Sequence, residues 1–597
     1  MADNEQMSFE FMERKTIKGY PELHWTGKRP YKSTVYYPAQ LKEVYGEPKN
    51  DWMNKIFWGD NLQVMSHLLK DYRGKIDLIY IDPPFDSKAD YKKKIKLKGK
   101  EISTDQSTFE EKQYGDIWTN DEYLQFMYER FVLLKELLSS KGTIYVHCDW
   151  HKSSYLRCVL DEVFGQNNFV NEIAWCYEDI GSRAVNYFKR KHDVILMYGK
   201  SQDRCFNIMR KKLSESTIKR YQSYFDDEGK ITYQALKDTN PGVFKKLKGI
   251  PDDLSEVWLD VNNGAPLSDW WTDISPLKNG FSEATDYPTQ KPEGLIERIV
   301  KASSNPGDIV FDCFMGSGTT QAVAMKLGRR FIGADINLGA IQTTTKRLIN
   351  VANDLNSQIG NEDKYTGFEV YNVNNYDLFR NPIEARDLIL QALEVQPYET
   401  SNVYDGEKDG RMIKIMPVNR IATKADLQGI ISNLPYKQFE QIKEENPGTV
   451  VLKLTLVCMG HESDLAAALK QELSQYKTDI DVVDILHDRA DLQFKRDAEA
   501  KIVIEGNELV IKNFYPLNLM QKLSLDKETV DEWRQLVESV MIDFNYDGAV
   551  MQPTTIDLPD KDKMVVGRYK IPSDAGIIRV KITDVLSESL EVEVQNG

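Results

Sequence analysis

The sequence predicts an α/β fold with a doubly wound, mostly parallel sheet. Three observations carry this. Apolar runs such as IDLIYI (76–81) and DIVF (308–311) are nearly continuous, the pattern of strands buried on both faces. Amphipathic helices alternate with them, as in DEYLQFMYERFVLLKELLSS and PEGLIERIVKASSN. Two strands end abruptly in turn chemistry, one at Asp82-Pro83-Pro84-Phe85 and one at a loop holding Gly316 and Gly318.

In chain order, residues 1–50 are rich in Tyr, Pro and Lys and predict an arm with little regular structure. KIFWGDN predicts a strand running into a loop, and LQVMSHLLKDY a short helix. IDLIYI is a buried strand, stopped by two prolines that cannot donate to a ladder. Residues 86–117 are polar and Lys-rich and predict a long surface loop. The helix that follows has Gly142 just past its end as a cap. GTIYVHC and HDVILMYGK predict strands, with a helix over SSYLRCVLDEVFG between them. Residues 200–285 break the rhythm and end Trp-rich. It resumes with a helix at PEGLIERIVKASSN, strands at DIVFDCF and RRFIGADI, and helices at GTTQAVAMKLG and AIQTTTKRLINVAN. Beyond about residue 380, alternating segments such as KIVIEGNELVIKNF predict an α+β, β-rich accessory part.

A chain of 597 residues predicts two to four domains. No run approaches the roughly 18 apolar residues of a membrane span, and the N-terminus lacks the basic-then-apolar pattern of a secretory signal. Six scattered cysteines without a CxxC pair predict neither a disulfide framework nor a cysteine zinc site, and fit a soluble, cytoplasmic protein. The net charge of -15 is unevenly placed. Residues 351–597 hold 27 Lys/Arg and 43 Asp/Glu, whereas residues 1–350 hold 50 and 49. The acidity therefore belongs to the C-terminal part, and the first part can still meet phosphates.

A lone D-P-P-F is usually a proline turn. Its chemical alternative is activation of an exocyclic amine, a poor nucleophile because its lone pair is delocalised into the ring. Asp82 and the Pro83 carbonyl could accept the two amine hydrogens and free that lone pair. Pro84 would stiffen the carbonyl, and Phe85 would stack on a base withdrawn from its duplex. In DCFMGSGTT, Gly316 and Gly318 allow backbone approach to a nucleoside cofactor. A dinucleotide site would want a third glycine where Gln321 stands, and a P-loop would want a lysine that is absent. Asp335 ends the next strand, placed to accept from two ribose hydroxyls, although a lone acid there is as often a surface turn residue.

WGDN (58–61), YIDPPF (80–85), YVHCDWH with YLRCVLDEVFGQNNFVNEIAW (145–175), YPTQKP (287–292) and DCFMGSGTT (312–320) together carry a resemblance over about residues 50–350. The chain resembles the β-class DNA amino-methyltransferases, the circularly permuted group that includes modification (Mod) subunits of type III restriction systems. The resemblance implies a permuted Rossmann-like methyltransferase sheet. Together with the changes of texture near residues 50 and 380, it divides the chain into an arm (1–50), a catalytic half (51–199), a target-recognition insert (200–285), a cofactor half (286–380) and an acidic C-terminal part (381–597). It implies S-adenosylmethionine as cofactor. Asp82, Pro83, Pro84 and Phe85 would form the target-amine site, and Phe314, Gly316 and Gly318, with Asp312 in their loop, would line the cofactor. Asp335 would hold its ribose, Asp60 its adenine edge, and Thr289 and Lys291 would lie near its methionine end. Cys313, Tyr287 and Phe85 depart from the commoner Pro, His and Tyr.

The implied reaction is direct methyl transfer to the N6 amine of adenine in double-stranded DNA. The cytosine N4 amine is the alternative target, and a specificity module that delivers a helicase-nuclease is the alternative of another class. The implied partners are DNA, a second copy of the chain, and a restriction or defence subunit. Between residues 88 and 100, seven lysines face one acid. Their position after the catalytic loop makes Lys88, Lys92, Lys93, Lys94 and Lys96 candidate phosphate contacts, although such runs are often solvated faces. Residues 183–220, with 11 Lys/Arg and 3 Asp/Glu, are a second basic segment. No Pro-Cys pair for cytosine carbon-5 chemistry is present, and the histidines show no metal-ligand spacing beyond His147 and His151, whose strand texture points to core or surface roles.

Overall fold

The computed structural model describes residues 8–11, 22–84, 90–98, 108–115, 120–177, 188–277, 281–358 apart from 282, 286 and 288, and 363–373. In the C-terminal part it describes 395–398, 403–417, 424–446, 448–458, 465–484, 498–517, 532–560, 563–595 and the single positions 386, 389, 390, 393, 422, 519, 520, 523 and 530.

Strands β1 (Ala39–Tyr45) and β2 (Asn54–Trp58) lead to helix α1 (Asn61–Tyr72) and strand β3 (Ile76–Ile81). A hairpin of β4 (Asp90–Lys96) and β5 (Thr108–Gly115) precedes α2 (Asn120–Leu137), β6 (Leu138–Cys148), α3 (Ser153–Phe164), β7 (Phe169–Cys176) and β8 (His192–Gly199). Short strands and helices fill the insert, which returns to the sheet as β9 (Trp270–Trp271). The second half comprises α4 (Glu293–Ser303), β10 (Ile309–Asp312), α5 (Thr319–Lys326), β11 (Arg330–Asp335), α6 (Leu338–Asn356) and β12 (Phe368–Val373).

These strands form one sheet of ten, in the order β9-β7-β8-β6-β3-β10-β11-β2-β12-β1. Strands β6, β3, β10, β11, β2 and β12 are mutually parallel, and β8 runs against both neighbours. Alternate residues of β3 serve the two faces, as the period of two requires. Ile79 and Ile81 join a core with Val64, Leu68, Phe131 and Leu160 from α1, α2 and α3. Leu78 and Tyr80 join the opposite core with Leu295, Ile299, Ala322 and Ile341 from α4, α5 and α6. The doubly wound sheet is therefore as the apolar runs predict.

Three local expectations change. The arm is not without regular structure: Ser33–Val35 pairs with Ser8–Glu10, and β1 closes one edge of the main sheet. The Lys-rich stretch is not one long loop, because β4 and β5 pair antiparallel. Gly142 is not a helix cap but lies inside β6, where a Cβ would come within 2.9 Å of the Ile76 carbonyl oxygen. A bulge in the β3–β6 register at that end brings the two backbones together.

The C-terminal part packs against this sheet. Parallel strands Arg411–Ile415, Leu452–Cys458 and Thr478–Asp484 share a core with nearby helices. Beyond them, Val537–Asp543, Ile577–Asp584 and Ser589–Gln595 belong to an antiparallel sheet. This sheet reaches β1 through a buried Glu43–Lys581 ion pair, and the Val44 N–H donates to the Met551 carbonyl (3.0 Å). It also holds the base of the β4–β5 hairpin. Leu97 is buried with Leu519, Leu523, Leu536, Val585 and Leu586, and Lys98 pairs with Glu538 (3.3 Å), which also pairs with Lys346 of α6. Among the described residues, no helix is long and apolar enough to cross a membrane.

Candidate active site

Strands β3, β10, β11 and β2 are adjacent and parallel, so their carboxyl ends share one edge. Each end delivers an acid there: Asp82, Asp312, Asp335 and, just past β2, Asp60. The central pair, β3 and β10, is where the winding direction switches, the place where open α/β sheets form a crevice. Sequence separates Asp82 from Asp312 by 230 positions, and the β3–β10 pairing makes them neighbours.

Asp82 follows Ile81 directly. One carboxylate oxygen forms an ion pair with Lys291, and the other, Oδ1, is buried with no hydrogen-bond partner among the described residues. A buried acceptor without a donor costs free energy unless a ligand supplies one. Pro83 is buried and Pro84 lines the cleft; Phe85 lies outside the described residues. Beneath Asp82, the Tyr80 hydroxyl meets His147 Nδ1 at 2.9 Å, and His147 Nε2 meets Asp193 at 3.2 Å. Burial pushes the Asp193 carboxyl up, but the His147 bond and nearby charges, Lys291 among them, bring it below the usual range.

The glycine loop is shaped from within. Asp312 accepts from the Phe314 N–H (3.0 Å) and the Thr320 hydroxyl (2.7 Å), tying both ends of the loop to its carboxylate. Gly316 has a positive φ of 50°, and its N–H donates to Asp335 (2.9 Å), which also accepts from the Asn337 N–H (2.9 Å). Gly318 does not line the cleft, contrary to expectation. Its φ of 72° is one reason for glycine, and Thr344 of α6 is the other, since a Cβ would lie 2.5 Å from that side chain. Its role here is close packing of loop on helix.

Asp60 caps α1 by accepting from Leu62 N–H (2.9 Å), and its second oxygen accepts from Arg130 (3.1 Å). Arg130 is buried, lies over the Phe126 ring at 3.3 Å, and donates to Asn61, whose amide donates to the Cys313 carbonyl (3.1 Å). One arginine thus links α2, α1 and the glycine loop. Its signal in the sequence is an interruption: Arg130 breaks the apolar face formed by Tyr123, Met127 and Leu134 at helical spacing. Asn337 and Asp193 stand in no motif that the sequence offers, and Tyr287 and His147 fall in quoted motifs without an assigned role. Thr289 has a φ of 68°, strained for a β-branched residue, two positions before Lys291.

Asp60, Tyr80, Asp82, Pro84, Arg130, Thr289, Lys291, Asp312, Gly316 and Asp335 border a cleft of about 1140 Å³, with Phe314, Tyr31 and Tyr37 among its aromatic lining; Pro83, Gly318, Thr344, His147 and Asp193 are not among the residues that line it. Burial pushes the Asp312 carboxyl up to about 7 and Asp335 to about 6, although hydrogen bonds oppose both shifts. Of the four strand-end acids, Asp60 and Asp82 pair with Arg130 and Lys291, whereas Asp312 and Asp335 are held by backbone N–H groups and a hydroxyl. S-adenosylmethionine, with a sulfonium, an ammonium, a ribose and an aromatic base, supplies cations for the acids, hydroxyls for Asp335 and a ring for the aromatic wall, so the residues present fit it.

Four of the five predicted phosphate contacts belong to strand β4. Lys88 lies outside the described residues; Lys92, Lys93, Lys94 and Lys96 lie along β4. The hairpin register sets Lys93 opposite Glu111 and Lys94 opposite Glu110. Lys98, from the same run, is turned inward to Glu538. Among the described residues no cluster of His, Cys, Asp and Glu could hold a metal ion.

A family described as DNA methylase matches residues 76–346. The type II methyltransferase M1.MboII of Moraxella bovis is 30% identical over 267 residues, covering 44% of this chain and 85% of that protein. DNA adenine methyltransferase YhdJ of Escherichia coli is 26% identical over 293 residues, 49% of this chain and 82% of that one. The StyLTI Mod subunit, a type III restriction-modification protein of Salmonella typhimurium, is 26% identical over 348 residues, 49% of this chain. This chain covers only 53% of that subunit's length. With the catalytic and cofactor stretches both inside the matched region, the chain belongs to the N6/N4 family of S-adenosylmethionine-dependent DNA methylases.

Proposed function

We propose that the chain methylates the N6 amine of adenine in double-stranded DNA as the modification subunit of a restriction or defence system. The observation that carries this is Asp82: an acid with one buried, unsatisfied oxygen at the end of β3, beside the glycine loop at the end of β10. That oxygen and the Pro83 carbonyl are the acceptors for the amine's two hydrogens. S-adenosylmethionine, when bound, supplies an electrophilic methyl group. Asp82 draws density toward the amine nitrogen as its lone pair is used, and takes or passes on the proton released. Lys291 holds the Asp82 carboxylate in place from its other side, while Tyr80, fixed by His147, supports the strand end. Closeness and fixed dipoles supply the rate, and no covalent enzyme adduct forms.

Adenine as target follows the likeness to a DNA adenine methyltransferase, and the restriction context follows the likeness to a Mod subunit. On this reading the C-terminal part serves a second copy or a helicase-nuclease subunit as well as packing on the catalytic sheet. The test uses purified protein, labelled S-adenosylmethionine and DNA from a host lacking the enzyme, followed by nucleoside mass spectrometry and base-modification sequencing. N6-methyldeoxyadenosine at one recurring motif is expected. N4-methyldeoxycytidine overturns the choice of base, and absence of label overturns the activity.

A further inference from the structure

The sheet edge that bears Asp82 also bears an aromatic and basic outcrop that the transfer chemistry leaves unused. Cys148 at the end of β6 lies opposite Val194 near the start of β8, so both points sit at the edge where β3 ends. Just past β6, Trp150 stacks on His151 with ring centroids 3.7 Å apart. The Arg190 guanidinium, on the segment entering β8, lies 3.6 Å from the Trp150 ring centre. Two flat groups that close cannot share one indole face, so Trp150 is clasped between them and the segment is pinned to it. That segment reads Phe188-Lys189-Arg190-Lys191, and the Phe188 side chain is 97% exposed. Strand β8 stands two strands from β3, roughly 10 Å at ordinary strand spacing.

A phenyl ring left almost wholly in water has a use when something covers it. Its cationic neighbours make that cover a polyanion with flat apolar faces. Building on the proposed action on a base withdrawn from duplex DNA, we infer that Phe188 enters the stack at the target step and fills the gap the base leaves. Lys189 and its basic neighbours then meet the flanking phosphates. Withdrawing a base breaks its pairing and both of its stacks. An aromatic ring restores stacking with any neighbour, whatever the sequence. A pinned backbone holds the ring at the mouth of the site before DNA arrives.

The test compares wild type with Phe188→Ala and Phe188→Trp on two duplexes carrying the methylated motif, one fully paired and one with the target base mismatched. Phe188→Ala is expected to lower kcat/KM about tenfold on paired DNA, roughly 1.4 kcal/mol. The mismatch, already unpaired, restores it to within about twofold, and Phe188→Trp stays near wild type. With 2-aminopurine at the target position, the bright unstacked signal of wild type is expected to fade in Phe188→Ala. Equal activity of Phe188→Ala and wild type on paired DNA overturns the inference, as does an equal loss on both duplexes. Thermal melting of Phe188→Ala is expected to match wild type, since the side chain is in water. A wild-type enzyme that methylates neither duplex sinks the underlying reading instead.

Discussion

Asp82 and the two buried acids beside it respond to different perturbations. Asp82→Asn keeps the shape of the side chain but removes the charge that polarises the amine. A fall in kcat of roughly 10²–10³ is expected, the size found when one preorganised electrostatic group is removed, with cofactor affinity little changed. Single-turnover kinetics and calorimetry separate the two; near wild-type turnover ends the catalytic assignment. Asp312 and Asp335 predict a pH dependence. Their folded pKa values, about 7 and about 6, lie above the ordinary carboxylate value, so the ligand-free fold holds more protons than the unfolded chain between about pH 4 and 7. Stability of the ligand-free protein should therefore fall as pH rises through that window, a trend thermal melts can check. A sulfonium favours the ionised acids. Affinity for S-adenosylmethionine should thus rise with pH from about 5.5 to 7.5, and more steeply than for S-adenosylhomocysteine, which lacks that charge. Parallel slopes by calorimetry would remove Asp312 and Asp335 from contact with the sulfonium charge.

Among elements, the β4–β5 hairpin and the glycine turn offer the clearest contrasts. If β4 lies along DNA, replacing Lys92, Lys93 and Lys94 with Gln should weaken binding alike for cognate and other sequences. The log–log salt slope should flatten by about 0.9 for each phosphate no longer neutralised. An unchanged slope would favour the acids of β5 as the lysines' partners. Gly318→Ala should destabilise by about 1–3 kcal/mol from overpacking on Thr344, and Thr344→Ala should recover part of that in a double-mutant melt. The elements were legible where periodicity was strong: IDLIYI, HDVILMYGK and the long helix over 120–137 all appear. The hairpin was not, because KKKIKLK alternates too weakly and its partner strand is read only by pairing. The acids at the strand ends were also legible, since each closes an apolar run. The Arg130–Asn61–Cys313 link was not, since it joins three elements that sequence keeps far apart.

In the whole molecule, one acid of the C-terminal sheet touches the catalytic machinery at two points. Glu538 faces both Lys98, at the foot of the hairpin, and Lys346, on the helix that follows the cofactor strand. Glu538→Gln should cost roughly 1–3 kcal/mol, the usual range for a hydrogen bond to a charged group, and should raise the KM for DNA more than that for cofactor. Leu97→Ala should act in the same direction by about 2–5 kcal/mol through a cavity. Urea melts with steady-state kinetics on both substrates check these. Equal shifts in the two KM values would mean that the anchor stabilises without aiming the hairpin. The composition shift near residue 350 marked this part as separate. Charge bias alone could not show that it packs on β1, because that packing rests on a few matched residues such as Glu43 and Lys581.

The pairing of β3 with β10 also bears on how the chain is made. A ribosome that has released Asp82 must still translate 230 residues before Asp312 exists, so a nascent or prematurely ended chain carries half of a crevice. By the same logic, two fragments cut within 200–285, each bringing one central strand, should regain methylation only when produced together. The central seam of the sheet thus acts as a check on synthesis, withholding activity until both halves of the chain have met.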